Sequence, residues 1–195
     1  MDNIIVIDDL IDFKTQKDIE KLCMSEEFGW IFHSTSAYSK IDTTVLPVNF
    51  YNNTVESPLF AHTLWNEWGR NSNMFNYFIP ILDALPFAIE KLLRIKVNLT
   101  LPVKNSTPDT HSVPHVDYAN INETYTTAIY YVNDSDGDTI IFNETVGHRG
   151  ELTIKDRITP KQGRVVIFDG ALYHSGNNPS TNIPRINLNI NLFKK

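Results

Sequence analysis

From Arg94 onward the chain breaks into eight short runs rich in β-branched and aromatic residues, separated by turn-forming residues: "RIKVNLTL", "VPHVDY", "TYTTAIYYV", "DTIIF", "ELTIKDRI", "RVVIFDG", "LYHSG" and "RINLNINLF". Eight candidate strands at this spacing favour a sandwich or jelly roll over a parallel α/β sheet. The last run alternates strictly. Ile186, Leu188, Ile190 and Leu192 form one face of a strand, and Arg185, Asn187, Asn189 and Asn191 form the other. A polar face is usually solvated. In a barrel with helices packed outside, however, the apolar face meets the helices and the polar face lines the cavity. "NDSDGDT" reads as a polar hairpin between two of the runs, and "TPKQGR" as a turn before "VVIF".

The first half reads differently. "IIVIDDLI" is a short strand, and "TQKDIEKLCMSEEF" carries a capping pattern, Thr15 to Asp18, ahead of Ile19, Leu22 and Cys23 at helical spacing. Ser57-Pro58 marks a second helix start, with Phe60, Leu64 and Trp68 four apart, and "MFNYFIPILDALPFAIEKLL" continues as helix interrupted near Pro80 and Pro86. A chain of 195 residues fits one domain, a strand-and-helix support over 1–93 and a β core over 94–193. The long irregular stretches, 31–56 and 103–112, read as loops covering a substrate.

Composition narrows the partners. The net charge is -6, and no basic run exceeds Lys194-Lys195, so nucleic acid is not expected. The N-terminus lacks a basic leader with a sustained apolar segment, and no apolar stretch approaches the roughly 20 residues of a membrane span. The expectation is a cytoplasmic protein with no membrane contact. A single cysteine, Cys23, excludes an intrachain disulfide and falls on the apolar side of the first helix. The Asn-x-Ser/Thr triplets follow from an Asn-rich composition and carry no argument.

The chemistry is concentrated in "VPHVDY". Residues i and i+2 of a strand point to the same face, so His115 and Asp117 project together. That pair alone is weak. His174 lies 57 positions beyond Asp117 on another expected strand, where it can face the pair from across the barrel. Two imidazoles and one carboxylate occupy one face of an octahedral ion and leave positions open, as in non-haem Fe(II) oxygenases. A Zn(II) or Mn(II) cupin uses similar ligands, so the triad leaves the metal open. Arg185, 11 residues after His174 at the head of the last strand, argues for an acid cosubstrate, because its planar fork grips carboxylates and a buried guanidinium without an anion is costly.

His115-x-Asp117, His174 and Arg185, with "TAIYYVN" and "GRVVIFDG" between them, resemble the 2-oxoglutarate and Fe(II)-dependent oxygenases, and within them the prolyl 4-hydroxylase-like branch with its small bacterial and phage members. The likeness covers about residues 94–193. It implies a double-stranded β-helix, the jelly roll of cupin type, supported by N-terminal helices. It implies that His115, Asp117 and His174 bind iron at the catalytic centre and that Arg185 pairs with the distal carboxylate of 2-oxoglutarate. Tyr131 matches a position whose hydroxyl helps hold that carboxylate. Thr127 shares the inward face of the Tyr131 strand, and Asn187 stands where some relatives carry a second polar anchor. The implied reaction is hydroxylation of a small molecule or peptide, a peptidyl proline being the branch's own case, with O2 consumed and 2-oxoglutarate converted to succinate and CO2. One departure stands out. Relatives often have Tyr before Pro on the first barrel strand, where this chain has Leu101-Pro102, with Asn98 or Thr100 as substitutes. The carboxylate Asp117 argues against the halogenating members.

Two other readings compete. A non-catalytic jelly roll could hold metal or 2-oxoglutarate as a sensor or interaction module, and a metal-free β-sandwich would leave the four site residues unrelated. His33, His62, His111 and His148 read as structural or surface histidines, with His111 placed to reach a cavity mouth. Trp30, Trp65 and Trp68 read as packing residues, "NDSDGD" as a turn and not a calcium loop, and Asp169 as shaping the turn before His174.

Overall fold

A computed structural model describes residues 4–34, 57–104, 106–107, 109–118 and 123–195. Among them lie β1 (Ile5–Ile7), α1 (Phe13–Cys23), β2 (Ile31–His33), β3 (Leu59–Asn66), β4 (Gly69–Arg70), a 3-10 turn (Asn73–Phe78) and α2 (Ile79–Asp83). The β-rich part follows as β5 (Ile89–Thr100), β6 (Thr126–Tyr131), β7 (Thr139–Thr145), β8 (Ile154–Ile158), β9 (Val165–Asp169), β10 (Leu172–Gly176) and β11 (Arg185–Lys194). The large sheet runs β1-β9-β6-β11-β5-β3-β2, with β4 paired to β3; the small sheet runs β10-β7-β8. Every pairing is antiparallel. A single bridge between His115 and His174 adds one more position beside β10. The two facing antiparallel sheets form a double-stranded β-helix.

The alternation of β11 divides the molecule. Ile186, Leu188, Ile190 and Leu192 are fully buried in one core cluster with Ile19 and Cys23 of α1 and Ile81 and Leu82 of α2. Helices therefore cover the outer face of the large sheet. Between the sheets a smaller cluster joins Ile129, Tyr131, Val166 and Phe168 to Ile141, Ile158 and Leu172. The polar side chains of β11 point into this inter-sheet space, beyond the apolar plug.

Several expectations change. Residues 59–66 form strand β3 and not a helix. The bare edge of β5 offers a row of unpaired backbone groups, and β3 satisfies them over Leu59–Trp65 while burying Leu59 and Ala61. Pro58 suits the start of a strand as well as that of a helix. Trp68, assigned to packing, is 85% exposed at the β3–β4 turn, while Trp30 and Trp65 do pack on the core. Helix after residue 70 is confined to the 3-10 turn and the five residues of α2, and "AIEKLL" opens β5 instead. Much of the support region thus extends the sheet. The α1 cap is Asp12, which accepts a hydrogen bond from the Thr15 backbone N–H at 3.0 Å. "VPHVDY" contributes one bridge where a strand was expected. "NDSDGDT" is no hairpin, because β6 belongs to the large sheet and β7 to the small one. "TPKQGR" likewise carries the chain between sheets, with Gly163 at φ 80, a left-handed conformation natural to glycine. The span 35–56 and residues 105 and 108, within the loops expected to cover substrate, lie outside the described residues.

Candidate metal and cosubstrate site

His115, Asp117 and His174 converge at the open end of the inter-sheet space, each offering a ligand atom within 4.8 Å of the others. They are the one such group among the described residues. The bridge sets the two histidines side by side: His115 N–H donates to the His174 carbonyl and His174 N–H to that of His115, both at 2.9 Å. Each ring is also fixed from behind. Nδ1 of His115 lies 3.1 Å from the Val113 carbonyl and Nδ1 of His174 lies 3.3 Å from that of Leu172. A carbonyl only accepts, so each Nδ1 carries a proton and each Nε2 is the ring nitrogen left for the cavity. Nε2 of His174 is buried with no hydrogen-bond partner and 3.7 Å from Oδ2 of Asp117. Burial and then the neighbouring His174 push His115 down to about 4, which keeps it neutral and able to ligate.

The Asp117 side chain is only 4% exposed and is held on both oxygens. Arg94 pairs with Oδ1, while Asn189 and Asn191 donate to Oδ2 at 3.1 and 2.8 Å. Burial alone would raise its pKa. The Arg94 guanidinium, then His174, His115 and the Asn191 amide, outweigh that and hold the carboxyl well below the usual carboxylate range. An ionised carboxylate, two oriented imidazoles and an orphaned buried nitrogen fit a divalent cation.

Arg185 lies at the far end of the same cavity. Its Nη1 donates to the carbonyls of Gly137 and Asp138 at 2.8 and 3.0 Å, its Nη2 reaches Thr100 Oγ1 at 3.4 Å, and its Nε has no partner. Burial lowers its pKa, and no carboxylate forms an ion pair with it among the described residues. Such a guanidinium suits an incoming carboxylate. Asn187 lines the cavity between Arg185 and Asn189. Tyr131 is fully buried, its hydroxyl donating to Thr139 Oγ1 at 2.8 Å, and burial raises its pKa to about 12. Thr139, and not Tyr131, lines the cavity. Thr127 stands behind the site, where its hydroxyl accepts from Asn191 at 3.1 Å. Leu101 is 44% exposed, whereas Asn98 and Thr100 line the cavity.

The other assignments follow the same geometry. His62 ties Gly29 to Ser72, and His111 packs on Phe142. Asp169 accepts from the Ala171 N–H in the turn before β10, and Asp136 binds Ser180 and Thr181. Sequence reasoning missed Arg94, Lys96, Ser112 and Ser175, all at or beside the cavity. The signal lay in β5, whose even positions pair across the ladder with the polar face of β11: Arg94 with Asn191, Lys96 with Asn189, Asn98 with Asn187 and Thr100 with Arg185.

Residues 102–193 match the family model described as the 2OG-Fe(II) oxygenase superfamily. No curated protein matches the sequence. Solved structures share the fold at low identity. The α-ketoglutarate-dependent epimerase SnoN of nogalamycin biosynthesis is 13% identical with a TM-score of 0.60, over 98% of this chain and 78% of its own. A Trichoplax adhaerens prolyl hydroxylase, solved with a hypoxia-inducible-factor peptide fragment, is 11% identical with a TM-score of 0.60, over 99% and 84%. A Pseudomonas putida prolyl-4-hydroxylase is 11% identical with a TM-score of 0.54, over 98% and 92%. Over residues 102–193 the chain is thus similar to the 2OG-Fe(II) oxygenase superfamily, a family that uses Fe(II), 2-oxoglutarate and O2, and the solved structures share its fold.

Proposed function

We propose that the protein is a 2-oxoglutarate-dependent hydroxylase whose iron is held by His115, Asp117 and His174 and whose cosubstrate is anchored by Arg185. The observation that carries this reading is one cavity with a ready ligand set at one end and an anion-free buried guanidinium at the other. Bound iron, with 2-oxoglutarate and O2, supplies oxidation of a substrate C–H bond with release of succinate and CO2. The chain's own residues orient and exclude. Backbone carbonyls lock the imidazoles, Arg94, Asn189 and Asn191 hold the carboxylate, and Thr100 steadies the Arg185 fork. Tyr131 holds Thr139 of the cavity wall, Asn187 offers a polar contact along the wall, and Thr127 braces Asn191. None of these needs to act as a general base.

The test is an anaerobic titration with Fe(II) and 2-oxoglutarate, following visible charge-transfer absorption. A band in the wild type that needs far more 2-oxoglutarate in Arg185→Ala supports the site. A folded protein without the band is a binding module of another kind, and a band without succinate release under air makes it a sensor. Peptidyl proline as substrate draws support from the resemblance to prolyl hydroxylases alone, and a fold does not choose a substrate. Incubation with proline-containing peptides and mass spectrometry decides it: a gain of one oxygen on proline supports it, and none across a broad panel with a competent enzyme removes it.

A further inference from the structure

Lys96 lines the cavity yet takes no part in the roles above. It sits in the middle of β5, beside Asn189 of β11 on one side and Thr63 of β3 on the other. Burial lowers its pKa to about 8, with Arg94 adding to the fall and Asp117 opposing it. The nearby carboxylate is already engaged, because Asp117 meets Arg94 on one oxygen and Asn189 and Asn191 on the other. Further along the wall, β3 and β2 present Leu59, Ala61, Thr63 and His33, none of them acidic. Among the described residues the Lys96 ammonium has no hydrogen bond or ion pair, and Asp117 is the sole carboxylate lining the cavity.

Charge balance sharpens this. With a dication and a dicarboxylate cancelling in the loaded site and Asp117 offsetting Arg94, the cations Arg185 and Lys96 remain in excess. A half-buried ammonium with no counter-charge favours an anionic ligand, because attraction is stronger where water is scarce. The distal carboxylate of the cosubstrate is taken up at Arg185 in the reading above. Lys96 is four residues from Thr100, where the Arg185 fork rests, and that is about 13 Å along the strand. Lys96 instead shares the register of Asn189, which holds the ligand carboxylate, so an anion on it lies beside the reacting centre.

We infer that Lys96 is the anion-binding residue of the substrate subsite, and that the substrate is a small molecule carrying its own carboxylate near the carbon that is oxidised. The inference rests on the hydroxylase reading of the site and departs from an internal peptide residue, whose neighbouring groups are neutral amides. A free amino acid fits this chemistry, and its carboxamide does not.

The experiment uses the anaerobic Fe(II)–2-oxoglutarate band of the full chain as a binding signal, with free amino acids, L-proline included, as probes beside their carboxamides and an internal-proline peptide. At least one free acid perturbs the band, and its carboxamide does not. Lys96→Met raises the concentration of that acid needed by about tenfold or more. Lys96→Arg restores most of the affinity, and the 2-oxoglutarate titration stays as in the wild type for both variants. Equal binding of acid and carboxamide, response to the peptide alone, or no response to any acid overturns the inference while leaving the hydroxylase reading intact. A Lys96→Met variant that weakens 2-oxoglutarate instead assigns the ammonium to the cosubstrate and overturns it too. Absence of the band in the wild type removes the parent reading and the inference together. Normal circular dichroism and a 2-oxoglutarate response in Lys96→Met separate loss of contact from loss of fold.

Discussion

The side chains of the candidate site are each held by neighbouring groups. Asp117 is aimed by Arg94 and two asparagines, and Arg185 by two carbonyls and Thr100. Arg94→Met leaves the three ligands in place but frees one carboxylate oxygen, and Fe(II) affinity should fall by roughly 10- to 100-fold. Anaerobic metal titration of the variant measures it. Gly176 offers a second probe, because a Cβ there would run into the Arg185 guanidinium. The guanidinium is the end of a flexible side chain and can move away. Gly176→Ala should therefore raise the 2-oxoglutarate concentration needed for the charge-transfer band while leaving metal affinity close to that of the wild type. A parallel loss of both would mean the backbone of β10 had shifted.

Strand β11 is the element on which core and site meet. One face buries Leu188 and Ile190 completely under the helices, and the other carries Arg185, Asn187, Asn189 and Asn191 into the inter-sheet space. Leu188→Ala leaves a cavity between the sheet and its helical cover, at a cost of about 2–5 kcal/mol in urea unfolding. Bound Fe(II) and 2-oxoglutarate should recover part of that loss, because both would bind the folded chain and not the unfolded one. The alternation of β11 was legible from the residues alone, because only one face could be buried against helices. That of β5 was not. Its run began five residues earlier than expected, and its polar positions gain meaning only beside their β11 partners.

Across the whole molecule, the chain's first strand is tied to its core by charge as well as by the β1–β9 ladder. Asp8 meets Arg164 at 2.6 Å and Lys161 at 3.2 Å. The Arg164 hydrogen bond foremost, against burial and with help from Lys161, lowers Asp8 from 3.8 to about 2. A depressed carboxylate stabilises the fold above its unfolded pKa, and that contribution disappears as pH falls through the folded value. Asp8→Asn should therefore lower the urea midpoint near pH 7, and the gap from wild type should close as pH falls from about 4 to about 2. The pair is partly exposed and water screens it, so the effect is small. A gap that stays constant over this range would show that packing, and not charge, binds β1 to the sheet.

By itself the sequence showed eight short strands in the second half of the chain and the strict alternation of β11, and its resemblance to a family joined His115, Asp117, His174 and Arg185 as one expected set. The strands and the alternation rest on local patterns, period-two spacing and turn residues at strand ends, whereas the set rests on the resemblance. The tertiary structure decided what local pattern leaves ambiguous. Residues 59–66 became a strand because β5 presented an edge to pair with, overriding a helical spacing of Phe60, Leu64 and Trp68. Lys96 became a cavity residue because its neighbours across the ladder are Asn189 and Thr63, and such proximity between distant segments is written in the pairing of strands, not in any one of them.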